Sequence, residues 1–225
     1  MAHIEQLDFV RDVRDRFPSA FAGRRVLEIG SLIVNETVRG FFRDCDYIGI
    51  DVAEGAGVDH VCQGQDYDAP AASFDTVICC EVLEHNPGWQ ETMDNMIRLT
   101  RPGGLILMTC ATTGRAEHGT TRTTPGASPL TIGIGWEYYR NLTARDIETN
   151  VDLAAGLSAW RFYFNFLSSD LYFVGFRNGA PPPANAAGIL SAMNFRYTFV
   201  PYALRRLRRL LPNQDLERLG AIGRS

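Results

Sequence analysis

The chain has 225 residues, 45% of them hydrophobic, which is enough for one sizeable core with a few added elements but a tight fit for two full domains. Its formal net charge of −4 gives no reason to expect general nucleic-acid binding. All 22 basic residues are arginine, and the lack of lysine excludes Schiff-base chemistry, a phosphate-loop lysine and the Tyr/Lys pair of short-chain dehydrogenases.

Ile4, Leu7, Val10 and Val13 recur at helical spacing among charged residues, predicting an amphipathic N-terminal helix that ends near Phe17-Pro18. The start, Met1 to Glu5, lacks the basic and apolar run of a signal peptide, and the longest apolar stretch, Leu105 to Met108, is too short to span a bilayer. The cysteines number five, an odd count, and Cys79 adjoins Cys80, so neither a disulfide framework nor a paired-ligand zinc site is expected. A reduced, cytoplasmic setting fits this cysteine usage.

Arg25 to Gly30 (RVLEIG) is a short apolar run stopping at glycine, the pattern of a buried parallel strand and its turn. A helix is expected next, ending before Asp44. Tyr47 to Val52 is a second strand, His60 to Gln63 a short third, Phe74 to Cys80 a fourth and Gly104 to Cys110 a fifth. Between the last two, Met93, Met96, Ile97 and Leu99 share one face of a helix over Trp89 to Thr100. Ala111 to Asn141, rich in Thr, Gly and Pro, is long for a connection and reads as a lid or binding loop. Thr143 to Leu153 is predicted to be a helix capped by Thr143, and Trp160 to Leu167 and Leu171 to Arg177 a hairpin at the sheet edge. The alternating aromatics Trp160, Phe162, Phe164 and Phe166 are read as core packing. After Ala180-Pro181-Pro182-Pro183, Ala203 to Leu211 is expected to form a terminal basic amphipathic helix.

The fold class is therefore α/β: a three-layer, Rossmann-like doubly wound sheet, mostly parallel, with an antiparallel edge hairpin. Residues 1–180 form the main domain, and 181–225 a Pro-rich linker and helix. Ligands of such sheets bind at the carboxyl ends of the strands. Glu28 and Gly30 stand at the first such end, where glycine admits a ligand, the next helix adds its dipole and a carboxylate suits a cationic amine. Asp51 ends the second strand, about 20 residues on, where a carboxylate accepts ribose hydroxyls.

Phe74-Asp75-Thr76-Val77-Ile78, then Glu81-Val82-Leu83-Glu84-His85, then Arg101-Pro102-Gly103-Gly104-Leu105 together closely resemble the class I S-adenosylmethionine (SAM)-dependent methyltransferases of the type 11-like group. The likeness runs from Val26 to Cys110. It implies that SAM is the cofactor, with Glu28, Gly30 and Ser31 at its methionine end. It also implies Asp51 on the ribose, Val52 on the adenine, Gln65-Asp66 near the adenine amino group, and Cys80 and Glu81 beside the sulfonium. The family's loop reads acidic-x-Gly-x-Gly-x-Gly, whereas Glu28 to Ile33 keeps only Gly30. A non-catalytic SAM- or nucleoside-binding module is therefore the alternative, with a nucleotide-dependent oxidoreductase behind it.

A methyltransferase needs in-line alignment in a desolvated pocket and, for a hydroxyl acceptor, a general base. His118, in the irregular segment, is the preferred base, with Glu81 and His85 completing the catalytic candidates. Glu81-x-x-Glu84-His85 is also similar to the metal-binding stretch of small-RNA 2'-O-methyltransferases and some quinone-biosynthesis O-methyltransferases, with His118 in the place of a later histidine. The same Leu-Glu-His opens a helix in relatives without metal, and no metal is assigned. Arg115 and Arg122, with the threonines of 120–124, suit a polar or anionic small-molecule or glycan acceptor. The basic helix over 203–211 is a candidate for peripheral membrane contact. Oligomeric state is not legible.

Overall fold

A computed structural model describes residues 3–208. Seven strands form one sheet in the order β3-β2-β1-β4-β5-β7-β6. They are β1 (Arg25–Ile29), β2 (Asp46–Asp51), β3 (His60–Val61), β4 (Phe74–Cys80), β5 (Thr100–Ala111), β6 (Leu157–Asn165) and β7 (Asp170–Arg177). β1 pairs in parallel with β2 and β4, β2 with β3, and β4 with β5. β7 alone runs antiparallel, hydrogen-bonded to β5 on one side and β6 on the other. The expected hairpin is thus present, with its second strand inside and β6 at the edge.

Helices cover both faces, as the three-layer reading requires. On one face α1 (Ile4–Arg16) packs Phe9, Val10 and Val13 against Leu105, Leu107, Tyr172 and Phe176. On the other, α2 (Trp89–Leu99) sets Met93, Met96 and Leu99 against Leu27, Val77 and Ile106. The segment after β5 holds only a 3-10 turn (Pro125–Ala127) and α3 (Pro129–Gly133). The single helix expected over 143–153 is two: α4 (Ala144–Asn150) and α5 (Leu153–Gly156). Thr143 and Asp146 form a reciprocal capping box, satisfying two otherwise orphaned N–H groups at the start of α4.

The helix expected between β1 and β2 is absent. Residues 30–38 are irregular, and only Arg39–Phe41 makes a 3-10 turn. The reason is local: Ile33, Val34, Thr37 and Val38 are β-branched, Asn35 favours turns and Gly40 pays backbone entropy, so the stretch has little helix propensity. The helix dipole expected to face Gly30 goes with it.

Past the prolines, α6 (Ala186–Asn194), a π-helical turn (Phe195–Phe199) and α7 (Val200–Arg208) continue one another. Ala186, Leu190, Met193 and Tyr197 join the core beneath α1. Thr198 Oγ1 accepts the N–H of edge residue Phe164 at 3.0 Å, so the helix covers part of the sheet edge. Of the terminal helix expected over 203–211, residues 209–211 lie outside the described residues. All five cysteines are free thiols. Among the described residues, no helix is long and apolar enough to cross a membrane.

Candidate active site

A cleft opens at the carboxyl ends of β1, β2 and β4, where doubly wound sheets bind their ligands. Gly30 turns the chain out of β1 at φ +80°, and a Cβ there would lie 2.0 Å from Val82 Cγ2. Only glycine combines that left-handed backbone with so close an approach. Beside it, Glu28 is 6% exposed and accepts the Tyr47 hydroxyl at 2.8 Å. Burial raises its carboxyl to about 7, against the Tyr47 hydrogen bond. Ser31 adds a buried hydroxyl without a partner.

Asp51 holds the irregular loop in place. Its Oδ2 accepts Leu32 N–H at 3.0 Å and its Oδ1 accepts Val52 N–H at 2.8 Å. Burial moves its carboxyl up, while both backbone donors pull it down.

Across the cavity, Glu81 leaves β4 at φ +57°, a strained backbone for a residue with a Cβ. Its carboxylate is buried, with no hydrogen-bond partner on either oxygen. His3, from the turn before α1, sets Nε2 3.6 Å from Glu81 and 3.3 Å from Asp170, which starts β7. Burial disfavours the imidazolium, but the two carboxylates outweigh it and raise His3 to about 9. Burial likewise opposes ionisation of Glu81, yet His3 holds its carboxyl low; Asp170, buried beside Glu81, is pushed up.

A 3-10 turn, Leu83–His85, carries the second cluster. Burial, then the charge of Glu81, pushes the Glu84 carboxyl up. His85 is 2% exposed, lacks a partner on both ring nitrogens and is driven down to about 3 by burial and by His118. The lid crosses it at Gly119, where φ is +65° and a Cβ would stand 2.7 Å from His85 Cε1. The rings of His85, His118 and Tyr139 pack together, His118 lying 5.0 Å from His85 and 5.1 Å from Tyr139. Arg140 N–H, donating to the Glu84 carbonyl at 2.8 Å, ties the far end of the lid to this turn. Glu84, His85 and His118 bring one ligand atom each within 4.8 Å of one another, as do His3, Glu81 and Asp170. Glu81 therefore groups with His3 and Asp170, and Glu84 with His85 and His118.

A sequence model described as a methyltransferase domain matches residues 1–133, more than half of the chain. The chain belongs to the class I SAM-dependent methyltransferases. A SAM-dependent methyltransferase from Archaeoglobus fulgidus shares the fold with a TM-score of 0.51 at 14% identity, over 76% of this chain and 94% of its own. Phosphoethanolamine N-methyltransferase 2 of Haemonchus contortus, in complex with SAM, gives 0.54 at 14% identity over 76% of this chain. This methyltransferase spans about half the length of the Haemonchus protein, covering 52% of it. No curated protein matches the chain by sequence.

In this methyltransferase Glu28, Gly30, Ser31, Asp51, Val52, Cys80, Glu81 and His85 all line the cavity. Burial pushes the Cys80 thiol up to about 12, so it stays protonated. Gln65 and Asp66 stand outside the lining: Gln65 is spent on Gln63, Asn86 and Thr92, and Asp66 is exposed. From the same stretch, Cys62 and Gly64 line the cavity. His118 sits behind His85, outside the lining, with burial lowering its pKa. Arg115 and Arg122 turn to internal partners, Arg115 to Asp170 at 3.3 Å and Arg122 to Glu117 at 2.8 Å. From the lid, Ser128, Leu130, Thr131 and Trp136 face the cavity. Sequence reasoning missed His3, Gln6, Asp170 and Trp136. Only the polar Gln6 at an inward position of an otherwise apolar helix face was a readable signal, and it is 1% exposed.

Proposed function

We propose that this methyltransferase transfers the methyl group of SAM to an oxygen of a small polar or glycan-type acceptor. The observation that carries the reading is one cavity in which Glu28, Gly30, Ser31 and Asp51 meet the buried acidic and imidazole groups of the β4 end. Glu28 attracts the methionine ammonium, and Asp51 takes the ribose hydroxyls while keeping its hold on Leu32 and Val52. Trp136 and Leu130 exclude water, and Thr131 and Ser128 offer hydroxyls to a polar acceptor. With alignment supplied by the cavity, His85, whose ring lines it, is the imidazole in reach of the acceptor proton, and His118 packs behind it.

Calorimetric titration with SAM and S-adenosylhomocysteine tests the cofactor half of the proposal. Asp51→Asn is expected to weaken binding about tenfold to a hundredfold, the worth of a charged hydrogen bond. Equal binding by wild type and variant rejects the role of Asp51. Methyl transfer to a panel of hydroxyl and amine acceptors tests the other half.

A second reading is favoured by His85, whose two buried ring nitrogens lack partners. Glu84, His85 and His118 form a mixed carboxylate–imidazole set that suits a divalent ion, whose chemistry would be to polarise acceptor oxygens. Metal analysis of the purified protein, with and without a chelator, separates the two. Stoichiometric metal lost in His85→Ala supports the ion; metal-free protein with full activity rejects it.

A further inference from the structure

Opposite its buried side, the α6–α7 helix shows solvent a second apolar face. Phe195 is 64% exposed, Phe199 57%, Tyr202 44% and Leu207 49%. The first three follow i, i+4, i+7 spacing, and the Phe195 and Phe199 rings stack at 5.5 Å. A helix apolar on both sides needs something over its outer face.

Charge says what that is. Six of the 22 arginines and none of the 26 acidic residues lie between Leu171 and Gln214. In a chain of net charge −4, this segment carries basic groups without acidic ones. Arg206 lies over the Tyr202 ring at 5.9 Å, and Arg196 flanks the stripe, reaching Asp12 of α1 at 3.3 Å. Exposed aromatics flanked by arginines on a helix not long and apolar enough to span a bilayer are the features of an interfacial helix. A second copy docked on the same face would set these arginines against each other.

We infer that the Phe195–Leu207 face docks this methyltransferase onto an anionic lipid surface. The aromatic stripe enters the headgroup region and the arginines meet lipid phosphates. The same helix reaches the start of the lid: Arg205 donates to the Phe166 carbonyl at 3.2 Å and lies beside Gly114.

The test is co-sedimentation of the full chain with phosphatidylcholine vesicles, and with vesicles mixing phosphatidylcholine and phosphatidylglycerol. Binding to the anionic vesicles is expected to be tighter by about tenfold or more and to weaken with salt. Phe195→Ser with Phe199→Ser is expected to cut it at least about tenfold while SAM titration is unchanged. Leu207→Gln repeats the test if the double variant loses its helical circular-dichroism signal. Absent vesicle binding, or binding that neither variant alters, overturns the inference. So does a concentration-dependent dimer in sedimentation velocity that the double variant abolishes, since the face would then join two copies.

Discussion

Gly30 combines two demands that can be separated by substitution. Gly30→Ala places a Cβ at φ +80°, which costs an L-residue about 1–2 kcal/mol. It also drives that Cβ to 2.0 Å from Val82 Cγ2, an overpacking that adds about 1–3 kcal/mol. The expected loss of stability is the sum, about 2–5 kcal/mol, read by urea unfolding. Gly40→Ala is the control: no atom lies within 4 Å of its Cβ and its φ is ordinary, so it stays within about 0.5 kcal/mol of wild type. Val82→Ala removes the clashing methyl and leaves Val82 Cβ 3.3 Å away. The double-mutant cycle should therefore return the steric part and keep the backbone part. SAM affinity is expected to fall with Gly30→Ala, because Val82 shares the cavity wall. If Gly30→Ala costs no more than Gly40→Ala, or the cycle shows no coupling, the close-approach argument is refuted.

Because burial raises Glu28 to about 7 from an ordinary 4.5, the folded state holds this proton longer than the unfolded chain. Stability of the ligand-free protein should fall as pH climbs from about 4.5 to about 7, and Glu28→Gln should flatten that part of the thermal-shift profile. SAM affinity should rise over the same window, as the carboxylate that attracts its ammonium ionises. Thr143→Ala removes the capping box of α4 and should cost about 1 kcal/mol in urea unfolding. His3→Ala leaves Glu81 and Asp170 buried without their cation and should cost about 1–3 kcal/mol at neutral pH; unchanged stability would place the N-terminal turn outside the site.

Strands buried on both faces were legible because Val26 to Ile29 is apolar apart from Glu28 and Val77 to Cys79 is a continuous apolar run, each stopped by a residue with another task. Gly30 and Asp51 were legible for the same reason, since strand ends are where such residues have work to do. Leu32 to Val38 misled because apolar content resembles a helix while β-branching opposes one. The face left open there is served partly by α1, through Phe9, Val10 and Val13, and nothing local announces that substitution. His3 was invisible for the related reason that its partners, Glu81 and Asp170, are distant in sequence. Arg115 and Arg122 looked available because a sequence displays charges without the carboxylates that meet them in space.

The loop over residues 30–38 has no helical ladder to hold it; it is tied to β2 by the Ile50 carbonyl, which accepts Gly30 and Ser31 N–H, and by the Asp51 carboxylate, which the proposed reading also gives to the ribose. Loop order and cofactor occupancy are then two readings of one equilibrium. An empty site opens locally at small cost without disturbing the sheet, whereas a filled one closes its own door. Amide protons of residues 31–38 should exchange quickly in the free protein and slow together on SAM binding. On the proposed reading, the cofactor enters past the stretch that the chain leaves without a helix.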